Sequence, residues 1–253
     1  ERYIFLADIF FMQAQFENSE EILEKALSKA PKNVDVIMKL AEIQLYYKRY
    51  SEMNDFLNKA LEIDERNPQA FFMKGYAYKE QGDTLNAIRN YNKAVDQNPG
   101  YYDAYIQLGL LYHARHNTLA LDYYNNALNI KPQSIEAHYN IAMFYQETGN
   151  TQKAKERYQM ILQIDKNHKW SYHNMGWIAM EFDKKYDEAI DNFSKAIAID
   201  QNFIEAIYNR GVAYEKKGDK KTALENYNLA LKINPEFEMA LQRVHVLEVR
   251  KGK

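Results

Sequence analysis

The chain repeats itself every 34 residues, and a period of that length limits the fold before any single residue is interpreted. Gly75, Tyr78, Gly82, Ala87, Tyr91, Ala94 and Pro99 return at the same offsets as Gly211, Tyr214, Gly218, Ala223, Tyr227, Ala230 and Pro235. Between them Ala142, Tyr145, Gly149, Ala154 and Tyr158 keep the register, while Ile161 and Lys166 stand where Ala and Pro are expected. Laid end to end, the units run 1-33, 34-67, 68-101, 102-134, 135-168, 169-203 and 204-237, leaving 238-253 as a tail. The fourth unit is one residue short between Tyr112 and Ala120, and the sixth is one long between Gly176 and Ala189. Both changes fall around a turn, where a change of length costs least.

Each unit reads as two antiparallel helices. In 68-101, Phe71, Gly75 and Tyr78 recur at helical spacing, Gln81-Gly82-Asp83 interrupts, and Ala87, Ile88, Tyr91, Ala94 and Val95 resume the period. Gly82, Gly149 and Gly218 suit the left-handed residue that ends a first helix. Pro31, Pro99, Pro132 and Pro235 follow second helices, where a missing N–H and a ring clash stop propagation. Gly at 75, 109, 176 and 211 costs about 1 kcal/mol inside a helix, so its recurrence calls for a close helix approach beside a large ring. Units one and two are weaker, with Ser19 and Met53 at the small position of the second helix and no turn Gly.

Composition agrees and excludes several classes of function. Of 253 residues 46% are hydrophobic but only 9 are Gly and 5 Pro, the balance of many helices joined by short turns. Zero Cys removes disulfides, thiol catalysis and cysteine metal sites. A net charge of −2 gives no global attraction to nucleic acid or an anionic membrane. No apolar stretch approaches the roughly 20 residues of a membrane span. The chain begins at Glu1 and not at Met, so an upstream segment, with any signal peptide or lipid anchor, is expected.

The pattern resembles the tetratricopeptide repeat family over essentially the whole chain, most closely in units three and seven. The resemblance implies an all-α fold, a right-handed superhelix (solenoid) of helix-turn-helix repeats whose first helices line a concave groove. Such a stack contacts only its neighbours, so its ends need sealing. In the tail, Met239, Leu241, Val244, Leu247 and Val249 form a helical stripe, read as a capping helix. No equivalent precedes Tyr3, Ile4 and Leu6, so further repeats, a cap or an exposed apolar flank are expected there. Phrases such as Tyr123-Tyr124-Asn125-Asn126-Ala127-Leu128 resemble repeat proteins of the Bacteroidetes, many of them envelope lipoproteins; a cytoplasmic location fits the composition equally well.

Catalysis finds little support. There is no Gly-rich phosphate loop, no nucleophile elbow and no His-Glu-x-x-His pattern. His113 and His116 lie three apart beside the shortened turn with no obvious third ligand, so they read as turn histidines and not as metal ligands. No cofactor is implied.

The strongest binding signal is a triplet that recurs in three consecutive units, as His138-Tyr139-Asn140, Tyr172-His173-Asn174 and Ile207-Tyr208-Asn209. Glu136, Trp170 and Glu205 stand four residues before the three Asn, and Met143, Trp177 and Val212 four after the middle residues. An Asn side chain offers both a donor and an acceptor, so a ladder of them suits a peptide backbone of any sequence. Tyr139, His173, Tyr208, Trp170 and Trp177 would add rigid contact area. The arrangement is similar to the asparagine ladder of O-linked N-acetylglucosamine transferases, although Met73 and Gln107 end it toward the N-terminus. The alternative is structural, with each Asn bonding its own or a neighbouring helix. The family's carboxylate clamp for chaperone tails needs inner-face cations; here Asp8, Asp35, Glu42, Asp103, Glu136, Glu147, Glu181, Glu205 and Glu215 outnumber Lys79, Lys216 and Arg243. A neutral or basic segment is therefore favoured over an acidic one.

The expected function is a non-enzymatic scaffold that binds an extended peptide or protein segment in its groove. Alternatives are a self-associating docking module and the recruiting part of a larger enzyme or envelope complex.

Overall fold

The computed structural model describes residues 2–249, with side chains as far as residue 248. Among them are fifteen α-helices and no strand, the all-α class of helical repeats that the period implies. The chain divides into two compact units, Glu1–Lys131 and Pro132–Lys253. The first holds α1 (Arg2–Met12), α2 (Phe16–Lys29), α3 (Val34–Tyr46), α4 (Tyr50–Ile63), α5 (Pro68–Glu80), α6 (Thr84–Gln97), α7 (Tyr102–His113) and α8 (Leu119–Ile130). The second holds α9 (Ile135–Glu147), α10 (Thr151–Ile164), α11 (Lys169–Glu181), α12 (Tyr186–Ile199), α13 (Ile204–Lys217), α14 (Lys220–Ile233) and α15 (Glu238–Val249). No helix among the described residues is long and apolar enough to cross a membrane.

Within each unit a helix packs most closely on the one it is joined to by a short turn. In the five pairs from α5/α6 to α13/α14 the core is a ring from the second helix laid against a small residue of the first, whereas the buried Leu23 and Leu57 take the place of the ring in α2 and α4. Tyr91, Tyr124, Tyr158, Phe193 and Tyr227 are fully buried. A Cβ added at Gly75 would come within 2.7 Å of the Tyr91 ring, and one at Gly211 within 2.7 Å of Tyr227, so the close approach requires Gly there. Ser19 and Met53, which depart from the small-residue pattern, are buried all the same. The Ser19 hydroxyl donates to the carbonyl of Ala7 at 2.9 Å, which removes the cost of burying it.

The turn inside each pair passes through one left-handed residue. Gly82, Gly149 and Gly218 take it at φ +80°, +80° and +98°; Ala14, Lys48, His116 and Lys184 adopt it with a side chain, at φ between 50° and 58°. Helix starts are fixed by side-chain caps: Asn33, Asn67 and Ser134 accept from the N–H three residues on, and so do Asp83, Asn150 and Asp219 at second helices.

The last helix packs through part of the expected stripe, Val244 and Leu247, together with Ala240. Ala240 and Leu247 are buried and Val244 packs against the same cluster, spaced i, i+4, i+7, whereas Met239 and Leu241 remain about half exposed. The Val249 side chain lies outside the described residues, as do residues 1 and 250–253. At the other end, Phe5 and Met12 of α1 are 70% and 78% exposed.

Candidate functional site

The triplet residues sit on the first helices of the second unit, α9, α11 and α13. Helical periodicity places Tyr139, Asn140 and Met143 on α9, Trp170, His173, Asn174 and Trp177 on α11, and Tyr208 and Asn209 on α13.

The structure joins them by a rule not visible in any single unit: the middle residue of one triplet meets the Asn position of the next. Asn174 is 7% exposed, and its Nδ2 donates to the hydroxyls of Tyr139 at 3.2 Å and Tyr158 at 3.0 Å. Its Oδ1 lies 3.1 Å from Nδ1 of His173. Nε2 of the same imidazole lies 3.0 Å from Nδ2 of Asn209. One tautomer satisfies both contacts, with Nδ1–H donating to Asn174 and Nε2 accepting from Asn209. Burial pulls the His173 pKa down, against smaller opposing effects of the Asn174 bond and Glu205, which favours this neutral form. The sequence of contacts ends at α15, where Arg243 lies 3.6 Å from the Glu215 carboxylate. Arg243 stands 34 residues after Asn209, so the period itself placed it on the ladder.

Asn140 differs from its counterparts. It is half-buried and makes no side-chain hydrogen bond to a described residue, which leaves its amide available to a ligand. Beside it on α9 Tyr139 lines, with His168 and Trp170, a shallow depression of about 240 Å³. Trp170 is 41% exposed, with its ring edge-on to Phe203 at 4.6 Å and to His173 at 5.7 Å. His168 was not singled out by the sequence. It caps α11, its Nδ1 accepting from the N–H of Ser171 at 3.2 Å, and this orients the ring toward Tyr139, 5.7 Å between centroids. Its place at the helix start, in line with Ser134 one unit earlier, was the available signal.

The remaining candidates are packed more deeply into the fold. Trp177 packs against core residues and edge-on to Phe182 at 5.4 Å. Met143 brings its sulfur to 3.2 Å from the Tyr158 hydroxyl, and Tyr208 packs between Tyr227 and Phe237. His138 is buried, and its Nε2 donates to the Pro132 carbonyl at 3.1 Å.

Several inner-face acids prove to be paired. Lys39 bridges Asp8 at 2.9 Å and Glu42 at 3.3 Å, and Lys216 reaches Glu181 at 2.8 Å. These pairs lessen the negative field that the acids would otherwise project. No group of three metal-ligating side chains is gathered among the described residues; His113 Nδ1 lies 3.2 Å from the Tyr124 hydroxyl.

Comparison with known proteins gives a consistent picture. Family models match at 184–218 (TPR repeat), at 111–174 and 204–237 (tetratricopeptide repeat), and at 1–108 (TT21 fifth ARM repeats domain). A TPR repeat-containing protein of Methanocaldococcus jannaschii is 26% identical over 97% of this chain and 40% of its own length. The human protein O-mannosyl-transferase TMTC3 is 26% identical over 82% of this chain and 23% of its own length. The chain thus spans less than half the length of these relatives. Among solved structures, the C-terminal part of a TPR repeat-containing protein from Cytophaga hutchinsonii superposes with a TM-score of 0.79 at 19% identity, covering 95% of this chain and 99% of that one. A tetratricopeptide repeat protein from Parabacteroides merdae gives 0.65 at 19% identity over 98% of each chain. Both organisms are Bacteroidetes, in keeping with the resemblance of the repeats, and at such identity the likeness concerns the fold.

Proposed function

Because the chain belongs to the tetratricopeptide repeat family, whose members generally mediate protein–protein interaction, we propose that its second unit binds an extended peptide segment along the first helices α9, α11 and α13. The observation that carries the reading is the pairing of an amide that has no partner among the described residues, Asn140, with the depression lined by Tyr139, His168 and Trp170. Asn140 offers a donor and an acceptor to the backbone of the segment, and the depression receives one of its side chains. Asn174 and Asn209 act here as positioning residues that hold Tyr139 and His173 in place, with Met143, Tyr208 and Trp177 supporting the wall. Each helix pair is one repeat with the boundaries drawn from the period, and 238-253 carries the closing helix. Repeat scaffolds of this kind are generally non-enzymatic, and we assign no catalytic step to this protein.

Selection from a displayed random-peptide library tests the reading. Enriched peptides should bind Asn140→Ala about five- to tenfold more weakly, the worth of roughly one hydrogen bond, and Trp170→Ala about thirtyfold more weakly. Unchanged affinity in both variants, with the helical signal intact, overturns it. A second reading, self-association, is favoured by the exposed Phe5 and Met12. Light scattering that shows a dimer lost on Phe5→Ser would support it.

A further inference from the structure

Directly after the third triplet, the second unit holds a cation without an anion among the described residues. Arg210 on α13 is half-buried, and no carboxylate among the described residues lies within ion-pair distance of it. Its direction is nevertheless fixed. Nε donates to Oδ1 of Asn226 at 2.8 Å and Nη1 to Oγ of Ser194 at 3.1 Å. Asn226 is itself 5% exposed and anchored, its amide donating to the Thr222 carbonyl at 2.8 Å. Two neutral acceptors therefore orient the guanidinium and use two of its five N–H groups, while its charge stays uncompensated. Burial lowers the Arg210 pKa below the ordinary value, a sign of the lost hydration, yet a guanidinium stays protonated at neutral pH.

A cavity of about 320 Å³ opens beside it, lined by Arg210, Tyr214, Thr222, Glu225, Asn226 and Leu229. The Tyr214 hydroxyl has no hydrogen-bond partner among the described residues and provides a second donor. Leu229, 39% exposed, provides an apolar wall. Thr222 gives its hydroxyl proton to Asp219 at 2.7 Å, so its hydroxyl is not among the donors that the lining offers, which include those of Arg210 and Tyr214.

We propose that this cavity binds a singly charged carboxylate on a short apolar stem, held by the free N–H groups of Arg210 and the hydroxyl of Tyr214. The planar guanidinium matches a carboxylate, and a charge-assisted bond to a partly dehydrated cation is stronger than one to a hydrated one. Glu225, exposed on the cavity wall, repels a second negative charge and so disfavours phosphate. A peptide's terminal carboxylate, an Asp or Glu side chain and a free monocarboxylic acid all present this chemistry.

The test follows the Arg210 Nε–H resonance of the intact protein by NMR during titration with propionate, propionamide, phosphate and sodium chloride at matched ionic strength. The expected result is a saturable shift with propionate, binding at least tenfold weaker with phosphate, and no saturable shift with propionamide or chloride. Propionate affinity should fall about fivefold in Tyr214→Phe and at least tenfold in Arg210→Lys, the latter read from the Tyr214 ring signals. A propionate shift no larger than that of chloride, or unchanged affinity in Tyr214→Phe, overturns the proposal; Tyr214→Phe removes a hydroxyl that bonds to nothing described, so it decides the matter even where Arg210→Lys fails to fold. Paired peptides then identify the source. Loss of binding on amidation points to a peptide terminus and loss on Glu→Gln to a side chain, while propionate binding with neither peptide bound points to a free acid.

Discussion

Tyr91 and Tyr158 occupy the same place in their helix pairs and are both fully buried, but only one has a use for its hydroxyl. Tyr158 donates to Oε1 of Gln146 at 2.9 Å and accepts from Asn174 at 3.0 Å; the Tyr91 hydroxyl is buried with no partner among the described residues. A buried polar group without a bond costs about 1–3 kcal/mol, and removing one that is bonded strands its partners. Tyr91→Phe should therefore be neutral or raise stability, while Tyr158→Phe should cost about 1–2 kcal/mol; urea unfolding followed by circular dichroism separates them. The same reasoning divides the asparagines. Asn174→Ala strips the internal bonds to Tyr139 and Tyr158 and should cost about 1–3 kcal/mol, whereas Asn140→Ala should lie within about 0.5 kcal/mol of the parent. Periodicity alone gives these two residues equal standing. What distinguishes them is the identity of side chains from other helices around each, information that lies a repeat or half a repeat away in the sequence.

At the scale of the element, helix order and turn placement are legible because a 34-residue period, ring positions and turn glycines all point the same way. The turns without glycine are not, since nothing local marks Lys48 or Lys184 as left-handed; their helices, held by packing on both sides, impose that conformation. A left-handed residue with a Cβ costs about 1–2 kcal/mol, and glycine returns about 0.5–1 kcal/mol of that as extra freedom in the unfolded state. Lys48→Gly and Lys184→Gly should each stabilise the protein by about 0.5–1 kcal/mol, read as a higher urea midpoint at constant m. The phase of α15 is only partly legible in the sequence, for a related reason. Five large apolar residues draw the stripe, yet the buried line runs through Ala240, Val244 and Leu247, and a small residue such as Ala240 carries little weight in a hydrophobic pattern although it sets how closely the helix can approach.

At the scale of the whole molecule, the second unit concentrates buried and half-buried imidazoles. The pKa values of His138, His168 and His173 are all lowered, in each case chiefly by burial. The Pro132 carbonyl opposes the shift at His138, Asp165 at His168, and Asn174 and Glu205 at His173. A lowered pKa means that the unfolded protein binds protons more readily than the folded one in the interval between the two values. Unfolding then takes up protons, the stability supplied by the neutral rings is complete above the unfolded pKa of about 6.5, and it is lost as pH falls toward the folded values. The acids Asp83, Asp200 and Asp219 have lowered values as well, chiefly through hydrogen bonds, and act below this window. Melting temperature should therefore fall between about pH 7.5 and pH 5, before the carboxylates begin to titrate. The bonds on its two nitrogens make His173 the most demanding of the three: a proton on Nε2 meets the Asn209 amide head-on, so the ion can form only if that amide turns to present its oxygen. A His138→Gln/His168→Asn/His173→Gln variant should show a flatter profile over the same window, and a profile as steep as the parent's would mean that other groups carry the dependence.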